Sequence, residues 1–306
     1  MKKNWSVNDI PPIKNKVAIV TGANSGIGYE TALPLARKGA TVIMACRNLQ
    51  KANSAAAQIE QTRPAGTTVV MELDLGDLES VGRFATEFQA RFDRLDLLIN
   101  NAGIMMPPYG KTPQGFETQF GVNHLGHFAL TGLLLGLLIQ TPQSRMVTVS
   151  SSSHRFGRIE FEDLHWEKRT YQPNAAYGQS KLANLLFTYE LHRKLTAAGQ
   201  ATMAVAAHPG WTATNLQQYA PMARFFNRFF AQDPPMGALP TLYAATASDV
   251  QGGDYFGPGG LMEMRGYPKK VKSNDRSYDE QAAARLWEVS EALTGVSYEE
   301  IERIGD

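Results

Sequence analysis

The sequence of 306 residues contains one cysteine, Cys46, and carries no excess of charge of either sign. A single cysteine excludes an intramolecular disulfide and any metal site built from several cysteines, so we expect a reducing, cytoplasmic environment. The net charge of +1 gives no electrostatic reason to expect a nucleic acid partner. With 43% hydrophobic and 19% charged residues, the composition is that of an ordinary globular protein.

Long hydrophobic runs are also missing from the sequence. The longest apolar run, residues 128–139, is interrupted by Thr131 and by two glycines. It is shorter than the roughly 20 residues that a membrane-spanning helix needs, and it predicts a buried helix instead. The first residues, MKKNWSVNDIPPIK, are basic but lack a following apolar segment, so we expect neither a signal peptide nor a membrane anchor.

Short apolar runs alternate with longer helical patterns along most of the chain, which predicts parallel strands joined by right-handed crossover helices. The expected fold class is α/β, a doubly wound Rossmann fold with a parallel sheet of roughly seven strands. The predicted strands are 17–20, 41–46, 67–73, 95–99, 146–150, 203–207 and a short one near Tyr255. The predicted helices are 26–38, with Pro34 inside it, 48–62, 77–92, 112–139, 174–198, 237–248 and 278–294.

No internal repeat or low-complexity linker divides the chain, so residues 1–306 are predicted to form one domain. Its cofactor half would be about 14–150 and its catalytic and substrate half about 151–270, with a C-terminal helix at about 278–294. Residues 211–237 are rich in aromatic residues and proline and predict a lid or substrate loop. Their phenylalanines at 225, 226, 229 and 230 could equally form one buried helix face.

Three glycines in the stretch TGANSGIG follow the first predicted strand and precede the first helix. Such a loop can present backbone N–H groups and a helix N-terminus to a pyrophosphate. The spacing G-x3-G-x-G differs from the usual dinucleotide fingerprint, and a tight turn for helix–strand packing would also require glycines. The candidate phosphate-binding residues are Gly22, Asn24, Ser25, Gly26, Ile27 and Gly28.

Further motifs follow the glycine loop in a fixed order. They are Asp74-Leu75, NNAG at 100–103, Asn123, a serine cluster at 150–153, YGQSK at 177–181 and HPG at 208–210. This series resembles the short-chain dehydrogenase/reductase family over about residues 16–261. Within that family, the segments ACRN, VNHLGHF and AYGQSKLANLLFTYEL resemble the retinol-dehydrogenase-like branch most, typically NADP(H)-linked carbonyl or retinoid reductases that are often membrane-anchored in animals.

The resemblance implies that the glycine loop binds the phosphates of NAD(P) and that the Asp74-Leu75 pair lies at the adenine. It also implies that Asn101, Ala102 and Gly103 line the adenosine. Two other interpretations are open: Asp74 could cap the helix that starts near Asp77, and the NNAG stretch could serve as a strand-end turn.

The cofactor preference is predicted from the end of the second strand. An NAD-binding sheet usually places a carboxylate there for the ribose 2′-hydroxyl, yet no Asp or Glu occurs between Glu30 and Glu60. Arg47 offers a guanidinium group suited to a 2′-phosphate. We therefore expect NADP(H), with NAD(H) as the alternative, although Arg47 could be a solvated arginine at a helix start.

Tyr177 and Lys181 are four residues apart, so on a helix they project from one face. A phenol with a pKa near ~10 works as an acid or base at neutral pH only if its anion is stabilised, and Lys181 could do this. By resemblance, Tyr177 transfers the proton and Ser151 binds the substrate oxygen. Lys181 also holds the nicotinamide ribose, and Asn123 anchors a water. The neighbouring serines 150, 152 and 153 leave the register of Ser151 open.

After the sixth strand, Pro209 and Gly210 are implied to turn the chain toward the nicotinamide. Either Thr212 or Thr214 would contact its carboxamide, because the family often has Val at the first position. His124 and His127 are three apart, but no second set of metal ligands accompanies them, so we expect no metal and interpret both as core residues.

The expected function is that of an NADP(H)-dependent oxidoreductase interconverting a hydrophobic carbonyl compound and its alcohol. The apolar residues 105–109 after the fourth strand suggest the hydrophobic substrate. A non-catalytic NADP(H)-binding sensor, a methyltransferase and a protochlorophyllide-reductase-like enzyme are the alternatives. By resemblance, helices 112–139 and 174–198 would form the interface of a homodimer or homotetramer.

Overall fold

The computed structural model describes residue 2, residues 4–212 and residues 231–302. In this part of the chain, eight strands form one sheet in the order β3-β2-β1-β4-β5-β6-β7-β8. The first seven strands run parallel, and β8 pairs with β7 in the antiparallel direction. The strands are β1 (Val17–Thr21), β2 (Thr41–Cys46), β3 (Thr67–Glu72), β4 (Leu97–Asn100), β5 (Arg145–Val149), β6 (Met203–Ala207), β7 (Tyr255–Pro258) and β8 (Pro268–Lys270).

The predicted doubly wound Rossmann fold and its seven parallel strands are confirmed. The eighth strand was missed because its sequence, PKK, is only three residues long and has no apolar alternation. It forms the edge of the sheet, where two exposed lysines and a proline are typical.

Helices cover both faces of the sheet. They are α1 (Gly26–Arg37), α2 (Leu49–Gln61), α3 (Leu78–Arg91), α4 (Thr118–Phe120), α5 (Gly126–Leu133), α6 (Leu135–Gln140), α7 (Pro173–Ala197), α8 (Pro234–Thr246), α9 (Glu280–Thr294) and α10 (Glu299–Glu302). Successive residues of β1 face opposite sides: Ala18 and Val20 pack under α1, α2 and α8, whereas Val17 and Ile19 pack under α3, α5 and α7. The two cores explain why β1 is buried throughout.

Most helix boundaries match the sequence-based predictions within a few residues, and capping side chains mark the starts of α2 and α3. Asn48 caps α2 by accepting the N–H of Lys51 at 2.9 Å, and Asp77 caps α3. Pro34 lies in the last turn of α1, which ends three residues later. At the other end of the chain, Gly295 terminates α9 in the left-handed conformation, with φ of 67°.

The prediction of one continuous helix over residues 112–139 was wrong. Residues 111–117 form a tight turn, in which Gly115 has φ of 88° and the N–H of Thr112 donates to the carbonyl oxygen of Phe116. Helical structure begins only at α4 and passes through a π-helical turn, Gly121–Leu125, before α5 starts. Pro113 and Gly115 disfavour helix in the first part, which the apolar pattern alone does not show.

The C-terminal residues pack over α5 and α7. Trp287 of α9 lies against Tyr298 and Phe128, with ring centroids 4.4 Å and 5.3 Å away. The Tyr298 hydroxyl donates to the carbonyl oxygen of Phe128 at 2.8 Å. At these positions, the helices that the resemblance assigns to a subunit interface are covered by the same chain.

Most of the expected lid at 211–237 lies outside the described residues. The same is true of its phenylalanines at 225, 226, 229 and 230. Helix α8 begins at Pro234, three residues before the predicted start.

The division into one domain with two halves stays a prediction. Within the described ranges, no helix combines the length and apolarity needed to cross a membrane.

We expect Trp287→Ala to lower the free energy of unfolding by about 3–5 kcal/mol, because it opens a cavity against Phe128 and Tyr298. Urea titration followed by circular dichroism measures the change. Phe156→Ala is the matched control, since its side chain is 80% exposed and should matter by no more than about 0.5 kcal/mol. Equal losses in both variants would contradict the packing of the C-terminal residues on α5 and α7.

Candidate active site

The glycine loop connects β1 to α1 at the carboxyl edge of the sheet. Gly22 and Gly26 have φ of 68° and 54°, which favours glycine at both positions. A Cβ on Gly28 would lie 2.3 Å from the carbonyl oxygen of Gly22, so the loop and the first turn of α1 touch. Ser25 occupies the N-cap of this helix without a side-chain capping bond. The packing interpretation therefore holds, and it leaves a helix N-terminus at which a phosphate group fits.

Near the end of β3, the structure separates two interpretations of Asp74. Its Oδ1 accepts the N–H of Gly76 at 2.9 Å, whereas Asp77 caps α3. The proposal that Asp74 caps this helix was therefore wrong. Oδ2 of Asp74 lies 3.8 Å from Nη1 of Arg47, whose side chain is largely exposed. The neighbouring Leu75 is buried in the core.

A cleft of about 460 Å³ opens beside the glycine loop, along α2. The described residues that line it include Asn24 and Lys51 and no carboxylate; the others are Gln50, Ser54, Ala55 and Gln58. Sequence reasoning missed Lys51. Its position four residues after Arg47, one turn into the predicted helix 48–62, was the available signal.

The NNAG segment is held against β1. The side-chain amide of Asn101 donates to the carbonyl oxygen of Thr21 at 2.7 Å. The backbone N–H groups of Asn101 and Ala102 both donate to the Thr21 hydroxyl at 2.9 Å. Gly103 lies between two catalytic candidates: a Cβ there would be 3.1 Å from Oδ1 of Asn123 and 3.5 Å from Nζ of Lys181.

Tyr177 and Lys181 lie one turn apart on α7, and each is about 3% exposed. Burial raises the pKa of Tyr177 to about 12, although a hydrogen bond with the Ser151 side chain lowers it. Burial lowers the pKa of Lys181 to about 8. Its Nζ donates to the carbonyl oxygen of Val149 at 3.0 Å and lies 5.7 Å from the centre of the Tyr177 ring. Burial therefore raises the pKa of Tyr177 by more than the lowering that was expected from Lys181.

The serine cluster follows β5, and its members have different neighbours. The Ser150 hydroxyl donates to the carbonyl oxygen of Lys181 at 2.8 Å and is buried. Ser151 caps a 3₁₀ helix, Ser152–Phe156, by accepting the N–H of Ser153 at 3.2 Å, and its hydroxyl also meets Tyr177. Of these serines, it is therefore Ser151 that the structure brings to the tyrosine.

Asn123 lies in the π-helical turn and uses both ends of its side-chain amide. Its Oδ1 accepts the N–H of Ile104 at 2.8 Å, and its Nδ2 donates to the carbonyl oxygen of Ile104 at 3.0 Å and to the Ser180 hydroxyl at 2.9 Å. The fold thus brings Asn123, Ser151, Tyr177 and Lys181 together at the carboxyl edge.

The two histidines of the VNHLGHF segment are fully buried and form hydrogen bonds with neighbouring polar groups. Nδ1 of His127 lies 3.1 Å from the carbonyl oxygen of Asn123, and Nε2 lies 2.9 Å from the Thr21 hydroxyl. Because a carbonyl only accepts, Nδ1 carries the proton and Nε2 accepts. His124 bonds to the Ser290 hydroxyl. Burial lowers the pKa of His127 to about 4 and that of His124 to about 3.

The turn after β6 reaches the same edge of the sheet. Gly210 has φ of 64°, and a Cβ there would lie 2.5 Å from the carbonyl oxygen of Met264. The Thr212 hydroxyl donates to the carbonyl oxygen of Pro209 at 2.7 Å. Thr214 lies outside the described residues.

A family model described as short chain dehydrogenase matches residues 16–224, which is more than half of the chain. The chain belongs to the short-chain dehydrogenase family. This short-chain dehydrogenase is 43% identical to mouse retinol dehydrogenase 12, over 94% of this chain and 89% of the relative. It is 41% identical to human retinol dehydrogenase 13, over 93% and 86%. The predicted family is confirmed.

Solved structures agree with this assignment. An uncharacterised protein from Mycobacterium paratuberculosis is 47% identical and superposes with a TM-score of 0.82, covering 97% of this chain and 99% of that one. A Shigella flexneri chain assigned to the short-chain dehydrogenases and complexed with NADP is 25% identical, with a TM-score of 0.63 over 81% and 98%. This short-chain dehydrogenase is thus an oxidoreductase acting on CH–OH and C=O groups, as predicted.

The burial of His127 predicts that this short-chain dehydrogenase loses stability in acid. Above its unfolded pKa of 6.5, His127 is neutral in both states. At about pH 5 the unfolded chain binds a proton that the folded site, with a pKa of about 4, does not, which costs about 2 kcal/mol.

Urea unfolding of the wild type and His127→Gln at about pH 7.5 and about pH 5 measures this effect. We expect the glutamine variant to lose about 2 kcal/mol less between the two pH values, because its side chain does not titrate. An identical loss in both proteins would show that His127 is not held neutral in the folded state.

Proposed function

We propose that the protein is an NADP(H)-dependent oxidoreductase that interconverts a hydrophobic aldehyde or ketone and its alcohol. The observation that carries this proposal is the buried Tyr177, which is hydrogen-bonded to Ser151 and lies one helical turn from Lys181. Relatives at 41–43% identity are named retinol dehydrogenases, which supports a hydrophobic alcohol or carbonyl substrate.

The residues present fit a dinucleotide. Gly28 and Gly22 approach each other so closely that a side chain at Gly28 would fill the space beside the loop. Helix α1 begins directly after Ser25, so its N-terminus lies next to this space. Gly22 to Gly28 would hold the pyrophosphate, and Lys181 would hold the nicotinamide ribose. Pro209, Gly210 and Thr212 or Thr214 would contact the nicotinamide end. When bound, the cofactor supplies or accepts the hydride.

The remaining chemistry belongs to the side chains of this chain. The Ser151 hydroxyl donates a hydrogen bond to the substrate carbonyl oxygen and so polarises it. Tyr177, which burial keeps protonated, donates its proton to that oxygen as negative charge develops there. The resulting phenolate is stabilised by Ser151 and by the nearby ammonium group of Lys181. In the oxidation direction, the same phenolate removes the proton from the alcohol.

Asn123 has a defined place in this arrangement. Its amide holds Ile104 through two hydrogen bonds and keeps Gly103 next to Nζ of Lys181. The water that the resemblance assigns to Asn123 would connect Lys181 to solvent and allow the tyrosine to regain its proton.

We infer NADP(H) rather than NAD(H) from the charge at the end of β2. Arg47 and the cleft that contains Lys51 and Asn24 offer two cations and an amide to a 2′-phosphate, beside Asp74 and Leu75 at the adenine. The Shigella flexneri structure complexed with NADP supports the same cofactor. We also propose a cytoplasmic location, because a single cysteine, Cys46, forms no intramolecular disulfide.

The homodimer or homotetramer stays a prediction. Trp287 and Tyr298 cover parts of α5 and α7, so subunits would have to meet through α9 itself or through another surface.

The alternative function, a non-catalytic NADP(H) sensor, would leave the buried Tyr177 and Ser151 without a chemical role.

Replacement of Tyr177 separates the enzyme from the sensor. We expect Tyr177→Phe to lower kcat for hydrophobic aldehydes by about 100- to 10,000-fold, because the proton donor is lost. The Kd for NADPH, measured by fluorescence titration, should stay within about twofold. Tyr189→Phe is the matched control, since it removes another buried hydroxyl from the same helix, one bonded to Ser273. Unchanged turnover in Tyr177→Phe would rule out the proposed role.

Arg47 tests the cofactor preference. Arg47→Leu should weaken NADPH binding by at least about tenfold and leave NADH binding unchanged, because only NADPH carries the 2′-phosphate. Isothermal titration with both nucleotides measures this. Arg83→Leu on α3 is the control for loss of an exposed arginine. A parallel loss for both nucleotides would contradict phosphate recognition by Arg47.

A further inference from the structure

A second cluster of hydrogen-bonded polar side chains lies beside the four catalytic candidates. Its centre is the fully buried Glu117, at the N-cap of α4. The carboxylate accepts the backbone N–H groups of Gln119 and Phe120 at 2.9 Å and 2.8 Å, and the Tyr171 hydroxyl at 3.0 Å. Burial raises the pKa of Glu117, and these hydrogen bonds oppose the change. Because a buried carboxylate needs hydrogen-bond donors or a cation, the ionised form depends on these three donors.

Gln119 extends the cluster in two directions. Its Oε1 accepts the N–H of Met106 at 2.8 Å, in the loop that follows β4. Its Nε2 donates to the Tyr171 hydroxyl at 2.8 Å and to the carbonyl oxygen of Pro173 at 3.0 Å. Pro173 is the first residue of α7. One buried amide therefore joins the loop after β4 to the start of the helix that carries Tyr177.

Tyr171 closes the cluster. Its hydroxyl donates to Glu117 and accepts from Gln119, so it has two partners inside the cluster. Burial and the neighbouring carboxylate raise the pKa of Tyr171, which keeps it a donor. Its ring packs edge-on against Tyr109, at the end of the same loop, with centroids 5.1 Å apart.

The loop in question, residues 104–109, contains the apolar residues 105–109 from which the sequence predicts a hydrophobic substrate. Asn123 holds its first residue, Ile104, and Gln119 holds Met106 two residues later. Both amides come from consecutive helical turns, 118–125. The chain positions this loop by side chains rather than by a strand partner, so the loop position depends on the network.

We propose that Glu117, Gln119 and Tyr171 are positioning residues that hold residues 104–109 against the start of α7 and thereby set the shape of the carbonyl pocket. The effect on substrates rests on the proposed function, whereas the hold on the loop does not. The cofactor loop between Gly22 and Gly28 has no contact with this network in the hydrogen bonds of the described residues.

Tyr171→Phe tests the hold on the loop without an activity assay, because it removes one hydroxyl. We expect the hydrogen-bonded amides of Ile104 and Met106 to exchange with deuterium faster by on the order of tenfold, as measured by mass spectrometry. Tyr243→Phe is the matched control, since its hydroxyl binds Asp249 outside this region. Unchanged exchange over 104–109 in a folded Tyr171→Phe would overturn the proposal.

Kinetics test the consequence for the pocket. In Tyr171→Phe, we expect KM for a bulky aromatic aldehyde to rise by about tenfold and KM for a small aldehyde to change by less than about twofold, with NADPH affinity retained. Equal losses for both aldehydes together with weaker NADPH binding would indicate a merely structural role and overturn the proposal.

A second variant guards against a fold defect in the first. Glu117→Gln keeps the size of the side chain but replaces one acceptor oxygen with an N–H donor, so the same loop should exchange faster and the same split in KM should appear. If the wild type binds NADPH but reduces no aldehyde, the proposed function fails while the exchange experiment still decides whether the network holds the loop.

Discussion

The hydrogen bonds around the Thr21 hydroxyl connect three segments that contribute to the candidate active site. This single oxygen, at the end of β1, meets the backbone N–H groups of Asn101 and Ala102 and the imidazole of His127. His127 in turn binds the carbonyl oxygen of Asn123. The glycine loop, the end of β4 and the helical segment that carries Asn123 are therefore fixed relative to one another by buried and partly buried hydrogen bonds.

Burial has opposite effects on the two titratable groups of the catalytic helix, and both suit the proposed reaction. It raises the pKa of Tyr177 to about 12 and lowers that of Lys181 to about 8, so the two values move apart. A tyrosine that stays protonated can act as the acid in carbonyl reduction. The lysine, with a pKa of about 8, keeps most of its charge near neutral pH. Ser151 is placed to favour the phenolate and thus opposes the effect of burial.

Sequence reasoning was strongest where local chemistry marks the structure. The glycines at 22, 26 and 28 and the pair Tyr177 and Lys181 act through spacing that a linear sequence shows. It was weaker for residues 112–139, where a turn and a π-helical segment interrupt the expected helix. Their apolar pattern continues through the interruption, so periodicity alone does not reveal it. The three-residue strand β8 carried too little pattern to be found.

The sequence by itself determined the doubly wound fold, the family and the set of candidate residues, because strand and helix periods and the spacing of glycine, tyrosine and lysine are local properties. Only the tertiary structure decided which serine meets Tyr177, that Asp77 rather than Asp74 caps α3, and that Lys51 lines the cleft beside the glycine loop. It also decided that Glu117, Gln119 and Tyr171 form one hydrogen-bonded network across 54 residues of sequence. The physical reason is that such contacts join segments far apart in the chain, and their partners are set by how the helices pack on the sheet and not by neighbouring residues.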